Sequence, residues 1–361
     1  MDKRFTESGE QTRALLQKHY REHMLLQSED IFKYLFQSAF GCEHLASNET
    51  DALAHICLEY EALERHGETK TEALDGAYSR VYLSCLDDGL KPETLAKLFC
   101  RSAQGEPEGR ALLEEKIKVA EALVANGEIR LDPAVFSERL AEWRARGYPA
   151  VHHSEAYREA YCPAYRVVAD RYAHYLRVFS LIDRCLDRGP VILAIDGGSA
   201  SGKSTLAESL RQVYSCNVFH MDDFFLRPEQ RTRSRLAEVG GNVDRERFLE
   251  EVLLPLRRGE AVCYRRFDCA NQCLSEPVTA LPKRLAVVEG AYSMHPLLAD
   301  HYNLSVFLEV RPEHQRARIL RRNTPEHSKR FFEEWIPMER DYFAGMQVPQ
   351  RCDLSVTDVE G

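Results

Sequence analysis

The residues with the strongest chemical signal are Gly197-Gly198-Ser199-Ala200-Ser201-Gly202-Lys203-Ser204, followed by Thr205. They fit the pattern G-x-x-x-x-G-K-[ST] at every position. Glycines in such a run let consecutive backbone N–H groups turn inward and approach phosphate oxygens closely. A helix starting at the end of the run adds partial positive charge at the same point. Lys203 is then placed to reach the terminal phosphates of a nucleoside triphosphate, and the Ser204 hydroxyl to be a ligand of Mg²⁺. The expectation for 197–205 is ATP binding with Mg²⁺ as cofactor.

Two acidic positions extend that chemistry. Asp222-Asp223 follow an apolar run at 217–221, and Glu289 follows another at 285–288. Ligands of open parallel sheets bind at the carboxyl ends of strands, so both acids should point toward the glycine loop. Asp222 could take the proton of an attacking hydroxyl, and Glu289 could hold Mg²⁺ directly or through water. A cationic run follows on an expected helix over 313–322, with Arg316, Arg318, Arg321 and Arg322, and with Lys329 and Arg330 just beyond. It reads either as a solvated face or as a lid whose arginines stabilise charge on a transferred phosphoryl group. Beside a phosphate loop the lid is preferred, and Arg318 and Arg321 share a helix face by their i,i+3 spacing.

These side chains need a scaffold, and the chain around them supplies one. Residues 191–195 are apolar and β-branched behind Gly189-Pro190, which predicts a buried strand. Leu206, Leu210 and Val213 recur at helical spacing after the loop. Further strands are expected at 217–221, 261–264, 285–288 and 304–310, a helix at 245–257, and a mobile polar loop at 227–244. A right-handed crossover should bring 191–195 and 217–221 close together. The expected class is a three-layer α/β P-loop NTPase fold with a mainly parallel sheet.

The first half reads as helical almost throughout, with segments near 52–65, 72–86, 92–102, 107–125, 133–146 and 163–186. The expectation is an all-α domain over 1–185 ahead of a P-loop domain over 186–361, broken at Gly189-Pro190. Two polar clusters stand in it: Gly41-Cys42-Glu43-His44, and His152-His153-Ser154-Glu155 with Tyr157, Tyr161, Tyr165 and Arg166. They read as helix ends and turns, or as metal ligands or a small-molecule pocket.

Composition narrows the partners. A net charge of -9 over 361 residues argues against general nucleic-acid or membrane-surface binding. Eleven cysteines without a C-x-x-C pair argue for reduced thiols. The start lacks an apolar signal segment, and no run approaches about 18 apolar residues. A soluble cytoplasmic protein is expected, with a homo-oligomer left open.

Taken as an ordered set, the motifs from 190 to about 356 resemble the uridine kinase and phosphoribulokinase group of P-loop kinases. The resemblance rests on 197–204, on Met221-Asp222-Asp223-Phe224-Phe225, on Asp244 before a helix, and on Tyr264-x-x-Phe267-Asp268. Val288-Glu289-Gly290 and Arg318-Ile319-Leu320-Arg321-Arg322 complete it. It implies ATP-dependent phosphorylation of a hydroxyl on a small molecule, a nucleoside or related sugar-containing metabolite. It also implies Asp222 as catalytic base, Glu289 as a holder of Mg²⁺ and the lid arginines as phosphate clamps. Asp223, Asp244, Tyr264 and Phe267 are expected at the acceptor. Where uridine kinases carry a histidine and an arginine for the pyrimidine and sugar, this chain reads Cys269-Ala270-Asn271-Gln272-Cys273. Two other classes stay open: an ATP-dependent switch whose helical half binds a partner, and a nucleic-acid end kinase, which the acidic balance disfavours.

Overall fold

The computed structural model describes residues 3–42, 48–63, 67–68, 70–74, 77–102 and 109–358, with side chains from residue 9 onward. The chain divides into two compact units, Met1–Leu176 and Arg177–Gly361.

The first unit is mainly helical. Helices α1 (Lys3–Glu22), α2 (Ser28–Phe40) and α3 (Glu49–Glu61) precede strands β1 (Thr71–Ala73) and β2 (Tyr78–Tyr82). Helices α4 (Pro92–Ser102), α5 (Gly109–Ala125), α6 (Pro133–Ala145) and α7 (Glu155–Tyr161) then lead to strand β3 (Tyr165–Ala169). Local chemistry sets several ends. Asp132 caps α6 by accepting from the Ala134 and Val135 amides, with Pro133 in the first turn, where its missing N–H costs nothing.

The antiparallel sheet β1-β2-β3 replaces the helix expected over 72–86 and the first part of the one expected over 163–186. Its central strand explains the error. Tyr78, Ser79, Arg80 and Val81 are consecutive and all buried, so there is no polar alternation to mark a strand.

The division between the units falls ahead of the Gly189-Pro190 break. Helix α8 (Leu176–Leu186) packs almost entirely with the second unit, where Tyr214 donates its hydroxyl to Asp183 Oδ1 at 2.8 Å. Strand β4 (Val191–Gly197), helix α9 (Lys203–Val213) and strand β5 (Cys216–His220) follow. Residues Arg245–Phe248, Leu249–Leu253 and Leu254–Arg258 run on as one helix, α10, widened at its centre into a π turn. An antiparallel hairpin, β6 (Val262–Asp268) and β7 (Cys273–Ala280), precedes β8 (Leu285–Glu289) and β9 (Leu304–Glu309). Helix α11 (Pro312–Arg322) leads to α12, formed by Pro325–Arg330, Phe331–Trp335 and Ile336–Gly345, and the last strand is β10 (Leu354–Thr357).

The five-stranded sheet has the order β10-β9-β4-β8-β5, and every pairing in it is parallel. All seven residues of β4 are buried, as a central strand covered on both faces requires. β4 and β5 are parallel and close, as expected, with one strand, β8, paired between them. The carboxyl ends of β4, β8 and β5 thereby stand side by side, and the acids and the loop stand at those ends.

Candidate active site

The glycine loop leaves β4 at Gly197, whose φ is +148°. A Cβ there would lie 2.4 Å from the Leu308 carbonyl oxygen, so no other residue fits without a shift of backbone. Gly202, at φ +100°, opens α9 from a left-handed conformation. Lys203 lies folded over the loop, donating from Nζ to the carbonyls of Gly197 (2.8 Å) and Gly198 (2.9 Å).

Glu289 ends β8 with its carboxylate turned to the loop side. Ser204 donates its hydroxyl to Glu289 Oε1 at 3.1 Å, and His220 Nδ1 lies 2.5 Å from the same oxygen. Burial pushes the Glu289 carboxyl up, but the His220 hydrogen bond and the Lys203 charge outweigh it and hold it below its ordinary value. His220 is raised in return, first by that hydrogen bond. A serine hydroxyl and an ionised carboxylate are hard oxygen donors, a pair that suits Mg²⁺.

Asp222 lies in a short helical turn, Met221–Phe224, directly after β5. Burial raises its carboxyl above the usual range, while Lys203 pulls it down. Asp223 is likewise raised by burial and stands 3.4 Å from Arg266 Nε. A cavity of about 650 Å³ is lined by Ser199, Asp222, Arg231, Phe267, Tyr292 and Trp335, among others. The fold thus brings Asp222, Phe267 and one residue of the phosphate loop to a single cavity. An arginine also lines it: Arg231, whose guanidinium lies 5.5 Å from the Phe267 ring centre.

Other expected residues sit elsewhere. Asp244 is buried as the cap of α10, accepting from the Arg247 amide and from Gln230 Nε2. Tyr264 is in the core, stacked on Phe224 at 5.5 Å. Neither lines the cavity. Arg318 reaches the loop, donating to the Ala200 carbonyl at 3.1 Å while paired with Asp358 at 3.1 Å. Arg321 is exposed, and no hydrogen bond or ion pair joins it to the loop among the described residues.

Several residues escaped the sequence reading. Asp196, fully buried at the end of β4, accepts from the Gly197 and Met294 amides and from the Tyr342 hydroxyl. Burial still pushes its carboxyl up to about 6. Glu339 accepts from both the amide and the hydroxyl of Ser199. Only the place of Asp196 and His220 at strand ends could have flagged them; Glu339 and Trp335 carry no local signal.

In the first unit, residues of both polar clusters, Cys42, His153, Tyr165 and Arg166, line one cavity of about 240 Å³. The Cys42 thiol donates to the Phe99 carbonyl, and burial pushes it up to about 12; Glu43 and His44 lie outside the described residues. His153 bridges Asp30 Oδ1 (2.8 Å) and the Tyr165 hydroxyl (2.6 Å), and Ser154 donates to Asp30 Oδ2 at 2.6 Å. Arg166 pairs with Glu59.

Comparison with known proteins bears on the second unit. No family model matches the chain. Uridine kinase-like protein 4 of Arabidopsis thaliana is 26% identical over 153 residues, covering 40% of this chain and 32% of that protein. The chain therefore spans about a third of the length of the curated relative it matches. Among solved structures, a possible uridine kinase from Bacillus stearothermophilus aligns with a TM-score of 0.38 at 20% identity, over 48% of this chain and 96% of its own. A candidate fructose transport system kinase from Silicibacter sp. TM1040 aligns with a TM-score of 0.41 at 24% identity, over 49% of this chain and 97% of its own. The second unit is an α/β P-loop fold, similar to P-loop kinases of the uridine kinase and phosphoribulokinase group. No described helix is long and apolar enough to cross a membrane.

Proposed function

We propose that the second unit is an ATP- and Mg²⁺-dependent kinase for a hydroxyl of a small molecule, a nucleoside or related sugar-containing metabolite. One observation carries the reading: Ser199 of the phosphate loop and Asp222, with its carboxylate, line the same cavity. Phosphoryl transfer asks for little more than an in-line acceptor, charge compensation and a base.

In this reading the loop amides and Lys203 hold the β- and γ-phosphates, and Lys203 exchanges its two carbonyl partners for phosphate oxygens. Asp222 takes the proton from the acceptor hydroxyl, a role that its raised affinity for protons suits. Ser204 and Glu289 would hold Mg²⁺, which neutralises charge on the phosphates when bound. Arg318, already at the loop, compensates charge on the transferred group in preference to the exposed Arg321. Asp223, beside Asp222 and paired with Arg266, orients the acceptor. Phe267, Tyr292 and Trp335 give the cavity flat apolar walls suited to a planar ring. A cytoplasmic setting fits the eleven free thiols.

The test is ADP release from ATP with a panel of nucleosides and sugars. Stimulation by one acceptor class is the expected result. Slow release that no acceptor accelerates would replace the kinase by a nucleotide-dependent switch.

A further inference from the structure

The first unit holds a cluster that the nucleotide site does not use. His19 lies in the last turn of α1 and His23 just past its end, where the His23 amide still donates to the His19 carbonyl at 2.9 Å and keeps both imidazoles on one side; Glu72 is the middle residue of β1. One ligand atom from each lies within 4.8 Å of those from the other two. The two imidazole ring centres are 4.5 Å apart.

His19 is 2% exposed, and its two nitrogens differ. Nδ1 lies 2.6 Å from Glu72 Oε1, whereas Nε2 is buried with no hydrogen-bond partner among the described residues. Burial also drives the ring to its neutral form, with its pKa lowered to about 4. A metal ion shared with Glu72 would enter between Nδ1 and Oε1, releasing to solvent the proton those two atoms share.

Glu72 is held as an anion. Arg80 Nη1 donates to its Oε2 at 3.2 Å and the Tyr82 hydroxyl at 2.9 Å. Burial raises its carboxyl, but the Arg80 charge and the His19 hydrogen bond outweigh that and keep it well below the usual range. On the open side, His23 and Glu72 line a cavity of about 480 Å³ together with Glu22, Tyr82 and Tyr161.

We propose that His19, His23 and Glu72 bind a divalent transition-metal ion, Zn²⁺ foremost, with a fourth coordination position toward this cavity. Two imidazoles and one carboxylate are the ligand class of such ions, and three protein ligands leave a position for water or a small anion. Metal–nitrogen distances of about 2.0–2.1 Å draw ligand atoms closer than they stand here. His23 and Glu72, only half-buried, supply that adjustment. The site lies within the first unit and stands or falls apart from the nucleotide reading.

The test uses the full chain, stripped with a chelator and titrated with Co²⁺ as a spectroscopic substitute for Zn²⁺. One equivalent with a tetrahedral d–d band, displaced by Zn²⁺, is expected. His23→Gln should weaken Co²⁺ binding about tenfold or more, while His55→Gln at an exposed position should not. Should His23→Gln fold poorly, melting decides: Zn²⁺ should raise the Tm of the parent chain and leave that of Glu72→Gln unmoved. No band, equal affinity in the two histidine variants, or no Tm shift in the parent would overturn the site. So would a thiolate charge-transfer band that survives His23→Gln, which would put the ion on cysteines.

Discussion

Ser199 of the glycine loop and Glu339 of α12, 140 residues apart in the chain, are joined by two hydrogen bonds, amide to Oε2 at 2.8 Å and hydroxyl to Oε1 at 2.6 Å. A side-chain carboxylate thus takes a loop amide that a phosphate oxygen would otherwise use, and both acceptors are anionic. Glu339→Gln keeps the shape and removes the competing charge. ATP should then bind about three- to tenfold tighter, roughly 1 kcal/mol, in a calorimetric titration. Weaker binding would mean that Glu339 supports the loop.

Burial raises Asp222, and a general base works only when ionised. Activity should therefore be lost on acidification at a higher pH than an ordinary aspartate, near 3.9, would set. In a pH profile of kcat/KM, Asp222→Asn should remove this acid limb and lower kcat by about 10²-fold or more. An acid limb that persists would belong to another raised carboxyl, Asp196 or Glu339.

His220 supplies the foremost contact that holds Glu289 ionised against burial. Without it the Glu289 carboxyl rises, more of it is protonated at a given pH, and Mg²⁺ must compete with a proton. His220→Ala should raise the Mg²⁺ concentration for half-maximal activity about tenfold, and by more as the pH falls. His220→Asn, which keeps a donor, should restore part of the loss. A Mg²⁺ requirement equal to that of the parent would remove His220 from the metal site.

Much of the second unit could be read from the sequence because its signals are local. The loop pattern, the buried run before it and the acids at strand ends each lie within a few residues of one another. What escaped depends on contacts between distant positions. Glu339 and Trp335 reach the cavity from a helix whose sequence has no motif, and β8 takes its place beside β4 through pairing that no short stretch encodes. Asp244 and Tyr264 stand in the order expected of acceptor residues, but both are buried and neither lines the cavity. In the first unit the fully buried Arg80 made β2 look unlike a strand, and its partner Glu72 comes from β1.

The most direct measurement follows the labelled γ-phosphoryl group of ATP, comparing the parent chain with Lys203→Ala. The label should appear on an acceptor hydroxyl in step with ADP formation, and Lys203→Ala should lose most of that transfer while keeping its circular dichroism. Label found only as inorganic phosphate, at a rate indifferent to acceptor, or near-normal transfer by Lys203→Ala, would contradict a kinase built on this loop.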